Sequence, residues 1–286
     1  MATLREIKRR ISSVKSTMQI TKAMKMVAAA KLRKSQMKLM ATRPYSQKLS
    51  GVLENVVKKS KRHKHPLMKE RKVRKVCYVL LSADKGLCGS FNANLIRRAH
   101  LELEQSGAPK NQLITIGRKG YEYFKHISFP VAAHYVDLFN NLDFSHARII
   151  TGELIKGFSS GKFDKVYIIY NQFKNAVQQD MVVEQFLPIV PEPTEEKIHT
   201  VSYVYEPKPE AILQELVPMS LNFKMWKILL ESATSEFGSR MTAMETATDN
   251  AQEMIKELTL YYNKARQAAI TTELNEIVSG AEALKG

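Results

Sequence analysis

The feature that most constrains this chain is a heptad pattern at each of its ends. In residues 3–43, apolar or small residues recur at alternating steps of three and four, and Lys25 is the single charge on that seam. The seam consists of Leu4, Ile7, Ile11, Val14, Met18, Thr21, Lys25, Ala28, Leu32, Ser35, Leu39 and Thr42. A second seam consists of Phe237, Met241, Met244, Thr248, Ala251, Ile255, Leu258, Tyr262, Ala265, Ala269 and Thr272. Patterns of this length are typical of coiled coils rather than of globular helices.

The segment between the two seams has the pattern of an α/β domain. Apolar β runs at 76–81, 113–116 and 166–170 alternate with helical patterns at 90–105 and 145–160, and 181–190 reads as a longer strand. This alternation favours a largely parallel sheet. The predicted division is a helix over 1–57, a basic and solvated linker over 58–75, an α/β domain over 76–209 and a second helix over 210–286.

The position of the two seams predicts how they pair. Because the α/β domain separates them, the simplest arrangement folds the terminal helices back on each other. Helices packed on the domain's own sheet, or a parallel homodimer, remain as alternatives. The fold class predicted is α/β, with a long antiparallel coiled coil of the N- and C-terminal helices plus a Rossmann-like α/β domain.

Charge is distributed very unevenly along the chain. The formal net charge is +16, yet residues 1–75 contain 23 Lys and Arg against three acidic residues, whereas the remainder contains 21 basic and 25 acidic residues. This asymmetry implies an acidic partner, and nucleic acid, an anionic membrane and an acidic protein surface are all open. The two cysteines form no CxxC pair, which fits a reducing compartment.

Two apolar features extend beyond the seams. Ile20, Met24 and Val27 form a second stripe on the first helix. The last helix, taken from Met219, exceeds the first by a length that predicts an overhang of roughly 16 Å. That overhang carries Leu274, Ile277, Val278, Ala281 and Leu284. A shaft buried in another assembly explains both features, and a bundle completed by a second copy is the alternative.

Signals for catalysis are weak. The loop Ala83–Ser90 has two glycines between a strand and a helix, but it lacks both the P-loop and the GxGxxG pattern, so a tight turn is favoured over a phosphate cradle. The segment 117–120, GRKG, is weaker still. His63 and His65 are interpreted as solvated residues of the linker rather than metal ligands. The prediction is therefore no catalytic residue, no cofactor and no metal.

Along its whole length the sequence resembles the gamma subunit of rotary (F-type) ATP synthases, bacterial type. The resemblance lies in QITKAMKMVAAAKLRK (19–34), SADKGLCGSFNANL (82–95), RMTAMETATDNA (240–251) and YNKARQAAITTELNEIVSGAEA (262–283). Ala83 is an addition and Lys85 replaces Arg in the second of these motifs. The resemblance implies a non-catalytic central shaft of a proton-translocating ATP synthase. It turns inside a ring of alpha and beta subunits and stands on the membrane c-subunit ring beside the epsilon subunit.

The resemblance also assigns partner contacts. Those with the catalytic ring are Met24, Lys25, Lys31, Arg33, Lys34, Arg266, Gln267, Thr271 and Glu273, to which the overhang adds Ile277. Those with the membrane ring are Tyr203 and Glu206. Ordinary surface polar residues of a coiled coil are the alternative for these positions. Gly238 stands where the family often has Ala, which suggests local compliance in the helix.

Other function classes fit less well. A basic coiled-coil protein that binds nucleic acid explains the charge, but residues 1–44 contain no Phe, Tyr or Trp to stack on bases. A nucleotide-dependent α/β enzyme would need a phosphate-binding loop, and this sequence has none of the known patterns for one. Chloroplast-type relatives carry an inserted cysteine pair that is absent from this sequence. With no transit peptide evident, the expected location is the cell inner (plasma) membrane, peripheral on the cytoplasmic side, and a processed mitochondrial chain stays open.

Overall fold

Two long helices occupy the ends of the chain. The computed structural model describes residues 3–60, 65–106, 108–190 and 209–283. Helix α1 runs over Leu4–Lys59 and helix α5 over Pro209–Ala283. Pro44 lies inside α1 and Pro218 inside α5, so neither proline ends its helix, although each removes one backbone donor.

The chain divides into two compact units, Met1–Ala28 with Met241–Gly286 and Ala29–Arg240. In the first unit the two helices run antiparallel. The hydroxyl groups of Thr21 and Thr248 lie 2.8 Å apart, and Lys25 Nζ donates to Glu245 Oε1 at 2.5 Å. As the residue number rises on α1 it falls on α5, which is the pairing that the two seams predict.

The second unit contains the next part of the same helices. Ser35 Oγ and Thr234 Oγ1 lie 2.6 Å apart, and Lys31 Nζ lies 5.6 Å from the centre of the Phe237 ring. Here too the pairs run antiparallel. Each seam residue of α1 is buried or half-buried, so this seam is confirmed in full. The α5 seam is covered as far as Ala265, and its last two members, Ala269 and Thr272, are exposed.

The strands of the described chain form one sheet in the order β3-β2-β1-β4-β5. Adjacent strands are parallel except for β5, which runs antiparallel to β4. The parallel order β3-β2-β1-β4 is that of the first four strands of a doubly wound fold, to which β5 adds an antiparallel edge, and this confirms the Rossmann-like class. The strands are Lys75–Leu81 (β1), Lys110–Ile116 (β2), Val131–Tyr135 (β3), Lys165–Phe173 (β4) and Gln179–Leu187 (β5).

In the part of the chain that the structure describes, three shorter helices accompany the sheet: α2, Phe91–Gln105; α3, Arg118–His126; and α4, Phe144–Ser159. One core joins Tyr78, Leu80 and Leu113 of the strands with Leu95 and Ala99 of α2. The central strands are buried on both faces, which is why they read as continuous apolar runs.

The sequence analysis did not predict α3 or β3. Strand β3, VAAHY, is short and only half-buried at alternate positions, so its apolar signal is weak. Helix α3 starts within the segment GRKG, where glycine hides the helical pattern. Gly117 has φ +95°, and a Cβ there would lie 1.9 Å from Ser82 O, so this position accepts only glycine.

Part of the predicted linker is packed rather than solvated. His65 is buried, and its Nδ1 accepts a hydrogen bond from Leu67 N at 3.2 Å at the start of a short 3₁₀ turn. Burial lowers the pKa of His65. The interpretation of His65 as a solvated residue is therefore wrong, because the apolar residues Leu67 and Met68 carry this turn into the interior. His63 lies outside the described residues.

Candidate partner-binding surface

The end of α5 is exposed over a long stretch. Every residue from Arg266 to Ala283 is exposed. The apolar side chains Leu274, Ile277 and Val278 are among them, and Ile277 is 64% exposed. At about 1.5 Å per residue this stretch is roughly 27 Å long. The predicted 16 Å was too short. The register that places Thr21 beside Thr248 puts Leu4, where α1 begins, opposite a residue near 265.

The polar residues assigned to the catalytic ring lie on this same exposed stretch. Arg266, Gln267, Thr271 and Glu273 are all exposed. The hydroxyl group of Thr271 donates to Gln267 O at 2.9 Å within the helix. The side chains of Arg266 and Glu273 are exposed to solvent. Contact of these residues with a partner stays a prediction. Leu284 lies outside the described residues.

Helix α1 carries a second apolar surface away from its seam. Ile20 and Val27 are exposed to 60% and 57%, and Met24 is half-buried. The sequence analysis missed three exposed methionines on the same helix, Met26, Met37 and Met40. Their off-seam spacing of eleven and three residues is the signal that would have found them. Exposed apolar side chains of this kind favour contact with a partner, which stays a prediction.

The basic residues assigned to the same ring differ in their surroundings. Lys25 forms an ion pair with Glu245 of α5, and its side chain is still 37% exposed. Lys31, Arg33 and Lys34 are exposed in the second unit. Lys31 and Lys34 line a shallow cavity together with Lys38, Asn140, Asn141 and Phe237. Lys38, which the sequence analysis missed, donates to Leu142 O at 3.3 Å.

The glycine-containing loop Ala83–Ser90 is held by groups of the protein. Asp84 Oδ1 accepts from the backbone N–H groups of Arg118 and Asp137 at 3.0 and 2.9 Å. The carbonyl groups of Lys85 and Gly86 each lie 3.3 Å from Arg240 Nη2. These contacts are those of a structural turn. In the described part of the chain, no three His, Cys, Asp or Glu side chains cluster as metal ligands would.

The residues assigned to the membrane ring, Tyr203 and Glu206, lie outside the described residues. Their role rests on the resemblance alone. Among the helices that the structure describes, none has the length and apolar character that crossing a bilayer requires.

Comparison with known proteins identifies this architecture. The family model described as ATP synthase matches residues 3–284. The ATP synthase gamma chain of Geotalea uraniireducens is 48% identical over 288 residues, and that of Chlorobaculum tepidum is 45% identical over 291; both alignments cover all of both chains. The antiparallel helices with an α/β domain are thus those of a central-stalk subunit of a rotary ATP synthase.

Solved structures agree with these relatives. The central stalk and c-ring structure of the Tetrahymena thermophila mitochondrial ATP synthase contains a chain that is 28% identical, with a TM-score of 0.61 over 80% of this chain and 99% of that one. A chain of the Euglena gracilis mitochondrial enzyme has the same fold at 19% identity, with a TM-score of 0.69 over 98% of this chain and 94% of that one. This chain belongs to the gamma-subunit family of F-type ATP synthases and is a central rotor shaft of that complex.

Proposed function

We propose that this chain is a non-catalytic shaft that turns inside a ring of alpha and beta subunits and is driven by a proton-powered membrane ring. The observation that carries the proposal is the exposed end of α5, residues 266–283, which displays apolar side chains over roughly 27 Å. Exposure of these apolar side chains to water is unfavourable in free energy. Burial inside a surrounding ring removes that cost.

The proposed contacts fall on three surfaces. The exposed end of α5 meets the upper part of the catalytic ring through Arg266, Gln267, Thr271, Glu273 and Ile277. Met24, Lys25, Lys31, Arg33 and Lys34 of α1 face acidic segments of the beta subunits, which the excess of positive charge in residues 1–75 favours. Tyr203 and Glu206 meet the c-subunit ring, beside the epsilon subunit.

The proposed location follows from this assembly. The complex is membrane-associated, and we place this chain on the cytoplasmic side of the bacterial inner membrane, where it is held by its partners. Its bacterial relatives at 43–48% identity over their full length support this assignment.

The deciding experiment is reconstitution with alpha and beta subunits. A bead attached to this chain, with the ring fixed to a surface, is expected to rotate in one direction when ATP is supplied. Chain prepared without the ring provides the control for adventitious bead motion. A complex that hydrolyses ATP while the bead only fluctuates would contradict the proposal.

The same preparation tests the nucleic-acid alternative. Affinity of the free chain for DNA is measured at two salt concentrations. Binding to DNA through backbone phosphates alone weakens steeply with salt and shows no sequence preference, as any strongly basic helix would. Sequence-specific DNA binding that survives high salt, together with failure to join alpha and beta subunits, would favour that alternative.

A further inference from the structure

A turn and a half of α5, residues Ser235–Arg240, lies against the carboxyl edge of the sheet in the second unit. Ser235 Oγ donates to Asn171 O, near the end of β4, at 3.0 Å. Ser239 Oγ donates to Gln179 Oε1, at the start of β5, at 2.8 Å. The side chains of this turn therefore bind both strands of the β4–β5 hairpin.

Gly238 allows the helix to approach the same hairpin closely. A Cβ at this position would lie 3.2 Å from Ala176 O and 3.4 Å from Ala176 Cα, and both of these are backbone atoms. Glycine is thus explained by packing between the two backbones. The sequence had suggested that Gly238 makes the helix locally flexible. In the structure Gly238 instead lets the backbone of α5 pack closely against the backbone of Ala176.

Arg240 connects the turn to the opposite loop, between β1 and α2. Its Nη2 lies 3.3 Å from both Lys85 O and Gly86 O, and its Nη1 donates to the Glu236 carboxylate. The side chains of Arg240 and Glu236 are only 14% and 6% exposed. Charge-assisted hydrogen bonds that are shielded from water in this way are strong and fix orientation.

These contacts surround a particular place in the fold. The strand order reverses between β1 and β4, and doubly wound proteins bind their ligands in the crevice at the carboxyl ends of the strands there. The β1–α2 loop and the β4–β5 hairpin flank this point, and the Ser235–Arg240 turn contacts both. A helix of the same chain thus lies where other proteins of this architecture hold a small molecule.

We propose that the Ser235–Arg240 turn fastens the α/β domain to the shaft, and that Arg240 and Glu236 are positioning residues through which this domain bears torque. The inference rests on the proposed rotor function. A stiff joint at this turn reduces the slack with which rotation of the shaft reaches the α/β domain. The contacts to two separate loops resist twisting about the axis of α5 better than a contact to one loop alone.

The test is the torsional stiffness of the assembled complex, read from the angular fluctuation of a bead during the pauses between rotation steps. The bead is attached to a cysteine introduced at Ile149, which is 60% exposed on α4; the native Cys77 and Cys88 are buried and react slowly. In Arg240→Gln we expect the angular variance to rise roughly twofold. With the bead on a cysteine at Met219, which is exposed on α5 itself, the variance should not change.

Arg98→Gln is the matched control. Arg98 forms an i,i+4 pair with Glu102 on α2, with the same spacing as Glu236 and Arg240, but its side chain is 46% exposed. The complex that carries Arg98→Gln should have the same angular variance as the parent complex at both bead positions. If Arg240→Gln does not assemble, Ser239→Ala is measured instead; it keeps the ion pair, loses the Gln179 bond and should give a smaller rise at Ile149.

The outcomes separate the two proposals. An unchanged variance at Ile149 in the assembled variant contradicts the joint. An equal rise at Ile149 and Met219 also contradicts it, because the shaft itself would then have softened. A parent complex whose bead does not rotate contradicts the rotor function instead.

Discussion

At the scale of single residues, Glu231 is a buried acidic group whose hydrogen bonding is incomplete. Its side chain on α5 is almost fully buried, its Oε1 lies 3.8 Å from Lys227 Nζ, and its Oε2 has no hydrogen-bond partner among the described residues. Burial raises the pKa of Glu231, and Glu184 raises it further, whereas Lys227, Arg43 and Lys174 lower it. The net direction is upward, so the charged form destabilises the fold.

The sign of this effect gives a pH dependence. The folded chain binds the Glu231 proton more tightly than the unfolded chain, so stability is retained below the ordinary pKa of 4.5 and is lost as pH rises through the folded pKa. Glu231→Gln should therefore raise the free energy of unfolding by about 1 kcal/mol at pH 8. Lys227 is 38% exposed and remains hydrated without its partner.

Thermal unfolding of the full chain at pH 8 and pH 4 measures this difference. We expect a gain of about 2–4 °C at pH 8 that disappears at pH 4. Glu257→Gln, at an exposed position on the same helix, should have no effect at either pH. A loss of stability at pH 8 would mean that the Lys227 pair outweighs the burial of the charge.

The exposed basic residues of α1 are expected to act on a partner and not on the fold. Replacing Lys31, Arg33 and Lys34 together by Gln should lower the torque or turnover of the assembled complex, because all three residues are exposed and can meet an acidic surface of a partner. Each contributes at most about 1 kcal/mol to folding. The melting temperature of the free chain should therefore change little.

Arg97, Lys125 and Lys156 offer a control with the same loss of charge. They are exposed on α2, α3 and α4, and their replacement by Gln should leave turnover unchanged. An equal loss in both triple variants would mean that net charge, not position, governs the effect. A large fall in melting temperature for the α1 triple would reveal a structural role.

At the scale of elements, the sequence predicted the helices and strands that have a regular or continuous apolar pattern. The α1 seam is correct at each position because a heptad is a local pattern, and β1, β2 and β4 are correct because buried parallel strands are apolar throughout. Helix α3 and strand β3 were missed because Gly120 and half-exposed residues leave no clear period. The length of the exposed end was underestimated because register depends on pairs such as Thr21 with Thr248, which lie far apart in sequence.

Deletion of residues 274–286 tests the exposed end of α5. It removes Leu274, Ile277 and Val278, each worth roughly 1.5–3 kcal/mol when buried by a partner. The complex should therefore dissociate more readily on dilution and heating. The free chain should melt at the same temperature as the parent, since these side chains are exposed in it.

Point variants in the full-length chain separate apolar burial from length. Replacing Leu274, Ile277 and Val278 by Ser should weaken the complex as the deletion does. Replacing the exposed neighbours Thr272, Asn275 and Glu276 by Ala should have a smaller effect. A complex as stable as the parent after the deletion would show that the ring does not bury this end.

At the scale of the whole molecule, a shaft is defined by contacts at different places that fail independently. Residues 266–283 serve the catalytic ring in our proposal, and Tyr203 with Glu206 serve the membrane ring. The two sets are separated by more than 50 positions in the sequence, and α5 begins between them. The contacts with the membrane ring come from the resemblance alone, because no heptad or strand pattern in the sequence identifies Tyr203 and Glu206.

The last prediction separates a shaft from a mere scaffold. Tyr203→Ala combined with Glu206→Ala should leave ATP hydrolysis by the detached soluble complex nearly normal, because no residue of the α5 end is changed. In membranes the same pair should lower ATP-driven proton pumping and proton-driven synthesis, because torque is lost where the shaft meets the c-subunit ring. The loss should be moderate, since polar contacts at the rim of an interface carry less energy than its core.

The paired measurement is hydrolysis in solution and acidification of inverted vesicles per ATP hydrolysed. Equal pumping yield in variant and parent would remove both residues from the coupling surface, and a parallel loss of soluble hydrolysis would place the defect in folding.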